Sequence, residues 1–575
     1  MRGQFVTSLS SEQQNIAERP LGKLCVTACA GSGKTRTAVH RLVHMRELMG
    51  NNRGRIALLS YSNVAVETFQ RDYRALVRDR RLGMQGSRVD IATLDSFFTT
   101  HVLGPHAHRT MNAARASYLI SGGEPFLKGF TFNGNGFPMS VTELKVSLGG
   151  GTPSYYATYK GTKVPVSYAE GNGLAVRLGK TGAYTHDLGR FWVHRTLLDQ
   201  PFVLKALAHR YPHIIIDEAQ DIGSCHQAIL ELLNVAGTHI SLIGDANQGI
   251  YEFADADGTY LKAYHSQAGV DAQELTRNFR SVPAIVKVAN ALTGRADEHD
   301  RASPKTLNGA YFTSLKKGGE EDLRKKFISM LSEANISPNQ ATIVCRGNEG
   351  VKVWRGDLPS QGQGATAIFA EASLKRDQAG DYNAAFNLVV RGFLRLLSNP
   401  PKDLANRLQR PGTDALAAKI RRKLWGFTRA QDGLPSAALA AATDWHSHLV
   451  PSVKAVLSWL ESEAELTPVT TVGQMLAKTK LKSAALMPAG EVPSEGTDIR
   501  VETVHGVKGE SIPAVMYVAN KAQVEELIAG PKTEIGRIGY VAVTRAQDLF
   551  VLAIPDKEIG NLRADLVARG FVEKS

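Results

Sequence analysis

Cysteine is scarce in this chain, with four among 575 residues. Cys25, Cys29, Cys225 and Cys345 form no C-x-x-C pair, and no histidine cluster completes a zinc set. That spacing argues against a disulfide scaffold and gives an iron–sulfur cluster no support; buried, reduced thiols in a cytoplasmic protein are what remains. Long apolar runs are also missing. None approaches the roughly 20 residues of a membrane span. Met1-Arg2-Gly3-Gln4-Phe5 is not followed by the apolar stretch of a secretory signal. Acids are outnumbered, 55 against 68 Lys and Arg, for a net charge of +13. A surplus of cations suits a polyanionic partner, although charge by itself is weak evidence. The hydrophobic share of 43% is ordinary for a globular protein, and the length predicts several domains.

What is present begins at Ala28-Cys29-Ala30-Gly31-Ser32-Gly33-Lys34-Thr35. The β-branched, apolar run Leu24-Cys25-Val26-Thr27 predicts a buried strand, and Thr35 to Leu42 has helical spacing. Small residues between them let the backbone curl its N–H groups inward around a phosphate. Lys34 then reaches the β- and γ-phosphates and Thr35 can hold magnesium. Ala28 stands where the usual pattern has its first glycine. The plainer alternative is a glycine-rich turn before a helix. A second signature weighs against it. Ile214-Ile215-Ile216 predicts another buried strand, with Asp217 and Glu218 at its carboxyl end. Open α/β sheets bind ligands at that edge. Asp217 would serve the magnesium shell and Glu218 would polarise the attacking water.

Along nearly the whole chain the residues resemble the UvrD/Rep-type helicases of superfamily 1. Leu9-Ser10-Ser11-Glu12-Gln13 is similar to the family's adenine-reading motif, with Gln13 as the reader. Ser60-Tyr61-Ser62-Asn63 and Thr93-Leu94-Asp95-Ser96-Phe97 resemble motifs that touch single-stranded DNA. Tyr61, Asn63 and Thr93 become candidate DNA contacts, and Asp95 stands where the family usually has His. The resemblance implies that Gln248 senses the γ-phosphate, and that Tyr251 and Phe253 stack on bases. Ala254 replaces the Arg that usually follows. Leu275 to Ser281 resembles the fourth motif, implying a γ-phosphate contact for Arg280 and an adenine sandwich between Phe279 and Arg36. Thr503-Val504-His505-Gly506-Val507-Lys508-Gly509-Glu510 is similar to motif V, with Thr503 and His505 toward DNA. Its acid, Glu510, is displaced by one position and is the candidate nucleotide contact. Arg537 to Ala546 resembles motif VI, which implies that Arg545 is the arginine finger. Each Arg taken singly reads as a surface cation; seven motifs in order do not.

The implied fold is α/β, with two RecA-like parallel-sheet domains that each carry an inserted subdomain. Residues 1–100 and 198–278 are assigned to domain 1A, and 101–197 to insertion 1B. Residues 279–349 and 496–575 form 2A, and 350–495 insertion 2B. Aromatics alternating with small polar residues near 130–137 and 154–159 predict hairpins in 1B, with turns at Gly149–Gly151 and Gly171–Gly173. This departs from the mainly helical insertion of better-known relatives. Its aromatics with Lys160, Lys163 and Lys180 could line a DNA path, dock a partner, or be structural. Leu197 through Leu207 has continuous helical spacing. In 2B, Lys419 to Trp425 packs cations around a tryptophan, read either as a contact to duplex phosphates or as a solvated helix face. The chain closes at Ser575 soon after the last motif, so no appended nuclease domain is expected.

The resemblance implies an ATP- and Mg²⁺-dependent 3′→5′ helicase acting on single-stranded and duplex DNA. A second reading is a DNA-sensing ATPase subunit that regulates a partner nuclease. The compact length, the displaced acid and the strand-rich insertion resemble small UvrD-like proteins that accompany OLD-family nucleases in Gabija-type antiphage defence.

Overall fold

The computed structural model describes residues 9–50, 52–80, 88–120, 122, 124–134, 136–149, 152–159, 162–251, 256–355, 362–378, 380–398, 400–409, 412, 414–487 and 499–574. Two six-stranded sheets dominate it. The first runs in the order Asp271–Leu275, Leu24–Ala28, His239–Gly244, His213–Asp217, Ile56–Ser60, Val89–Thr93, and every pairing is parallel. Helices cover both faces, which is why these strands read as unbroken apolar runs. Successive residues still serve opposite faces. Ile215, Val26, Leu58 and Ile243 enter one core, while Ile214, Ile216, Cys25 and Leu59 enter the other.

The second sheet runs Arg500–Thr503, Ala341–Cys345, Ile512–Val518, Ala546–Pro555, Gly309–Leu315, Val572–Glu573, again all parallel. Its faces divide the same way, with Val515, Tyr517, Phe550 and Leu552 on one side and Ala514, Met516, Leu549 and Val551 on the other. The helix Asn348–Arg355 packs here through Val351 and Trp354, so the helical insertion's own core starts only at Ala365.

The insertion in the first lobe holds a hairpin, Thr131–Gly134 with Phe137–Ser140, and a three-stranded antiparallel meander, Lys145–Ser147, Ser154–Tyr159 and Thr162–Val166. It shares one continuous core with the first sheet through Phe97, Phe98, Leu188 and Trp192. Two expectations fail in this region. Gly171 and Gly173 make no turn; they lie inside the helix Tyr168–Lys180. A Cβ on Gly171 would stand 2.3 Å from the Tyr155 ring, so the glycine lets this helix lie flat on the meander. The helical spacing from Leu197 to Leu207 is also interrupted. One helix ends at Asp199 and the next starts at Pro201, because proline has no N–H to continue a helix but suits its first position.

The second lobe's insertion is a helical cluster around Phe369, Phe393, Phe427 and Trp445. Trp425 stacks on Phe386 at 4.5 Å and 5°, with Arg421 and Arg429 over its ring. No helix of the described residues is long and apolar enough to cross a membrane.

Candidate active site

The strand Leu24–Ala28 delivers the chain into a loop whose two turning residues are glycines in the left-handed region, Gly31 at φ 72° and Gly33 at φ 78°. Neither tolerates a side chain. A Cβ on Gly31 would meet Arg280 Cβ at 2.5 Å, and one on Gly33 would meet Gln13 Nε2 at 2.5 Å. The helix Lys34–Met49 starts with no side-chain cap, so its first N–H groups and positive dipole end face the loop's interior. Cys29 and Ala30 are buried beneath the loop, where the Cys29 carbonyl accepts from the Ser32 hydroxyl at 2.9 Å. The Gln13 amide is engaged at both ends: Nε2 donates to the Ser32 carbonyl at 2.8 Å, and Oε1 accepts from the Ser10 N–H at 3.1 Å. Arg41 ties the helix Lys34–Met49 to the short helix Ser11–Ala17 and the segment after it by donating to the carbonyls of Ile16, Arg19 and Pro20.

The strand His213–Asp217 ends beside this loop. Asp217 is buried, and its Oδ2 accepts from the Thr35 hydroxyl at 3.3 Å. Its Oδ1 has no partner among the described residues. An orphaned, buried carboxylate oxygen is costly, and it fits a cation. Magnesium needs only one or two protein oxygens and completes its shell from phosphates and water. Thr35 and Asp217 would hold it, and the ion would neutralise phosphate charge.

Burial, and then the Glu218 charge, push the Asp217 carboxyl up from its ordinary range. Glu218 goes the other way. Burial raises it, but Lys34, Lys508, a hydrogen bond from Gln220 and Arg545 together outweigh burial and hold it ionised. The two environments thus push the carboxyls apart, Asp217 toward holding a proton and Glu218 toward accepting one. A raised folded-state pKa means that the folded chain binds a proton the unfolded chain would already have lost. Asp217's contribution to stability therefore falls as pH rises from the ordinary carboxylate value to the elevated one. Magnesium must displace that proton, so the affinity for magnesium nucleotide is expected to rise by up to about tenfold per pH unit over the same window. Calorimetry in buffers of different ionisation enthalpy should detect the released proton near about pH 6; binding without release would contradict the protonated Asp217.

The second lobe closes the site. A cavity of about 370 Å³ is lined by the loop Gly31–Thr35 and by Arg36, Glu218 and Gln248, together with Phe279, Arg280 and Arg545. Phe279 and Arg36 share this cavity, as a base sandwich requires. Burial, and then Arg545, push the Arg280 guanidinium down to about 9. Two crowded guanidinium groups beside an ammonium make a site that gains from an anion. Arg280 donates to the Thr544 carbonyl at 2.9 Å, which ties it to the end of the helix Glu534–Arg545. Arg545 is buried and donates to Gln248 Oε1 at 2.8 Å and to the Glu510 carbonyl at 3.3 Å. Gln248 Nε2 reaches Asp245 Oδ2 at 2.8 Å, the Asp245 N–H donates to Gln220 Oε1 at 3.0 Å, and Gln220 Nε2 donates to Glu218. One hydrogen-bonded chain thus connects the carboxylate of the first lobe to the arginine of the second.

Glu510 does not join the nucleotide cavity through its carboxylate. Arg500 clasps it bidentately at 2.8 and 2.9 Å, and Gly509 and Ser511 line the pocket instead. Glu510 lines the adjoining cavity instead.

Beside the nucleotide cavity lies a larger one of about 780 Å³. Tyr61, Tyr251 and His505 line it with Lys145 and Tyr156 from the insertion. Tyr251 lies 5.6 Å from the His505 ring, and His505 Nε2 is 2.9 Å from the Ile250 carbonyl. Asn63 is exposed at the start of the helix Asn63–Asp79. The hydroxyls of Thr93 and Thr503 accept from the N–H groups of Ser96 and Gly506, at 3.2 and 3.0 Å. Phe253 and Lys160 lie outside the described residues. Asp95 is held by Arg190 at 2.8 and 3.0 Å and by His226 at 3.0 Å. It clamps the insertion's helix His186–Asp199 onto the first lobe.

Sequence reasoning missed several of these residues. Gln220, Asp221 and Asp245 follow the strand ends at Asp217 and Gly244, and Lys508 lies in Thr503–Glu510, yet spacing alone assigns them no partner. Lys508 crosses between the lobes to Asp221 at 2.5 and 2.7 Å, with both side chains nearly covered. Its ammonium also stands 4.6 Å from the Tyr251 ring centre. Burial pushes Asp221 up to about 6 against the pull of Lys508, so desolvation outweighs the pairing. Lys508→Met alone is expected to destabilise the protein by about 3–5 kcal/mol, because it strands a buried carboxylate. Adding Asp221→Leu should restore much of that loss. Denaturant midpoints for the four proteins of the cycle measure the coupling; strictly additive effects would disprove the strut.

Two RecA-like parallel sheets with a phosphate loop and a cross-lobe arginine define the class: a P-loop protein of two stacked α/β lobes. Residues 9–123 and 179–268 match the UvrD/REP helicase N-terminal domain. The matched residues lie in the first lobe and its insertion, and the chain is similar to UvrD-type helicases. It is 23% identical to the ATP-dependent DNA helicase UvrD2 of Mycobacterium tuberculosis, over 72% of this chain and 65% of that protein. It thus spans just under two thirds of that relative's length. It is 22% identical to the ATP-dependent DNA helicase Rep of Escherichia coli, over 96% of this chain and 92% of Rep. DNA helicase II of Escherichia coli aligns at 23% identity over 50% of this chain and 40% of its own length.

Proposed function

We propose that the protein is an ATP-dependent DNA helicase that moves 3′→5′ along single-stranded DNA. The observation that carries this reading is the shared cavity, in which Arg280 and Arg545 of one lobe face Lys34, Thr35 and Glu218 of the other. ATP binds there with its triphosphate against the loop and its base between Arg36 and Phe279. Glu218 takes a proton from water as the water oxygen attacks the γ-phosphorus. The bond to the β-phosphate oxygen breaks, and ADP and phosphate leave. Arg280, Arg545 and Lys34 stabilise the charge on the transferring group. Both lobes contact the γ-phosphate, so ATP favours the closed cleft and hydrolysis releases it.

The larger cavity touches both lobes, so closure changes the spacing of Tyr61 relative to Tyr251 and His505. Base stacking on such rings contributes about 1–3 kcal/mol per base and tolerates any sequence. The direction of movement rests on the resemblance of the motifs. The four buried free thiols suit a reducing cytoplasm.

The purified chain should hydrolyse ATP faster when single-stranded DNA is present. It should displace the strand of a 3′-tailed duplex and leave a 5′-tailed one intact, and Lys34→Ala should abolish both activities. Preference for the 5′ tail would reverse the polarity. The second reading, a DNA-sensing ATPase that regulates a partner nuclease, is favoured by the departures at Asp95 and Glu510, whose carboxylates are tied up within the protein. DNA-stimulated hydrolysis without displacement of either substrate would support it.

A further inference from the structure

The helical insertion carries a groove that neither the nucleotide site nor the DNA cavity uses. It runs between the helices Ala415–Arg429 and His446–Ala464 and encloses about 820 Å³. One wall presents Lys419, Arg422 and Lys423, all exposed. The floor and far wall are apolar: Phe427, Val456, Pro451, Ala455 and the ring of Trp459. Lys419 and Lys423 stand 5.8 and 5.6 Å from the Trp459 ring centre. Lys419 is paired with Glu463 at 2.6 Å, while Arg422 and Lys423 have no acidic partner among the described residues. Asp432 is the single acid lining the groove, against those three cations.

Gly426 sits in the last turn of the cationic helix, exposed and lining the groove. A glycine within a helix costs about 1 kcal/mol relative to alanine. Here no packing requires it, since a Cβ at this position would meet nothing within 4 Å. The missing side chain leaves the groove open at this point. From Lys419 to Ala430 the wall extends roughly 16 Å at 1.5 Å per residue, enough for about three turns of a partner helix.

We propose that this groove docks an acidic amphipathic α-helix of a partner protein. Apolar side chains at helical spacing would enter over Phe427 and Val456 beside Gly426, and carboxylates along one edge would meet Arg422 and Lys423. Charge complementarity selects the acidic edge, and the apolar floor selects a peptide over nucleic acid. A duplex would satisfy the cations with phosphates but leave the floor uncovered, because phosphate contacts need no apolar trough. The inference does not rest on motor activity.

The test is a display selection of random helical peptides about three to four turns long on the full chain, followed by anisotropy titration of the enriched peptides. Enrichment of sequences with apolar residues at i, i+3, i+4 and i+7 and flanking Glu or Asp is expected. Gly426→Leu should weaken their binding by about tenfold or more by filling the gap there, and Gly426→Ala should change it little. The exposed pair Arg422→Glu and Lys423→Glu should also weaken it about tenfold, which keeps the test decisive if the leucine variant folds poorly. Absence of acidic amphipathic sequences, or equal binding by the Leu and charge-reversed variants, would overturn the proposal. So would loss of affinity for a 20-base-pair duplex probe in the charge-reversed variant with peptide binding unchanged, an outcome that would reassign the groove to nucleic acid.

Discussion

Arg545→Ala lowers ATP turnover by about 10³-fold or more and changes nucleotide affinity far less; this is the largest effect expected of any substitution in the second lobe. The guanidinium is buried and crowds Arg280, and its Nε has no partner among the described residues. A cation held this way gains from an anion placed in the cleft. The charge that builds on the transferring phosphoryl group supplies more of one than the ground state does, so the contact strengthens in the transition state. Loop N–H groups and Lys34 account for most of the ground-state binding. Arg545→Lys should recover only a fraction of the activity, because an ammonium cannot reach Gln248 and the phosphoryl oxygens at once. Turnover numbers measured beside fluorescent-ATP titrations separate the two roles. A variant with near-normal turnover and much weaker nucleotide binding would remove the finger assignment.

Glu218→Gln is the second. ATP should still bind, and hydrolysis should fall by about 10²–10⁴-fold, the usual worth of a positioned general base. The backbone at this residue supports a functional reading. Glu218 lies at φ 55° and ψ 41°, a left-handed conformation that costs a non-glycine residue about 1–2 kcal/mol. That turn aims the carboxylate into the cleft, where Lys34, Lys508 and Arg545 keep it ionised. Glu218→Gly should therefore melt at a higher temperature than Glu218→Gln while remaining as inactive. Neutralising Glu218 also removes a charge that raises Asp217, so the proton released on magnesium binding should shrink in the Gln variant. Equal turnover in wild type and Glu218→Gln would exclude this carboxylate as the base.

The phosphate loop, the acidic strand end and the candidate arginine finger were legible because each is a local pattern. A run such as Ile214-Ile215-Ile216 followed by Asp217-Glu218 makes its strand and its strand-end acids visible within a few residues. The same locality explains the errors. Gly171-Asn172-Gly173 has the composition of a turn and lies in a helix because the Tyr155 ring needs the space. Pro201 divides what periodicity alone joined into one helix. Glu510, the candidate nucleotide contact, has its carboxylate occupied by Arg500.

By itself the sequence determined the order of strands and loops and the chemical identity of every group in the cleft, since backbone preference and side-chain type are properties of short segments. Tertiary structure decided which groups meet: Lys508 with Asp221, 287 residues apart, and Arg545 with Gln248, 297 apart. Ion pairs and hydrogen bonds act over a few ångströms, so partners so distant along the chain are chosen by the packing of the two lobes and leave no periodic trace in either segment.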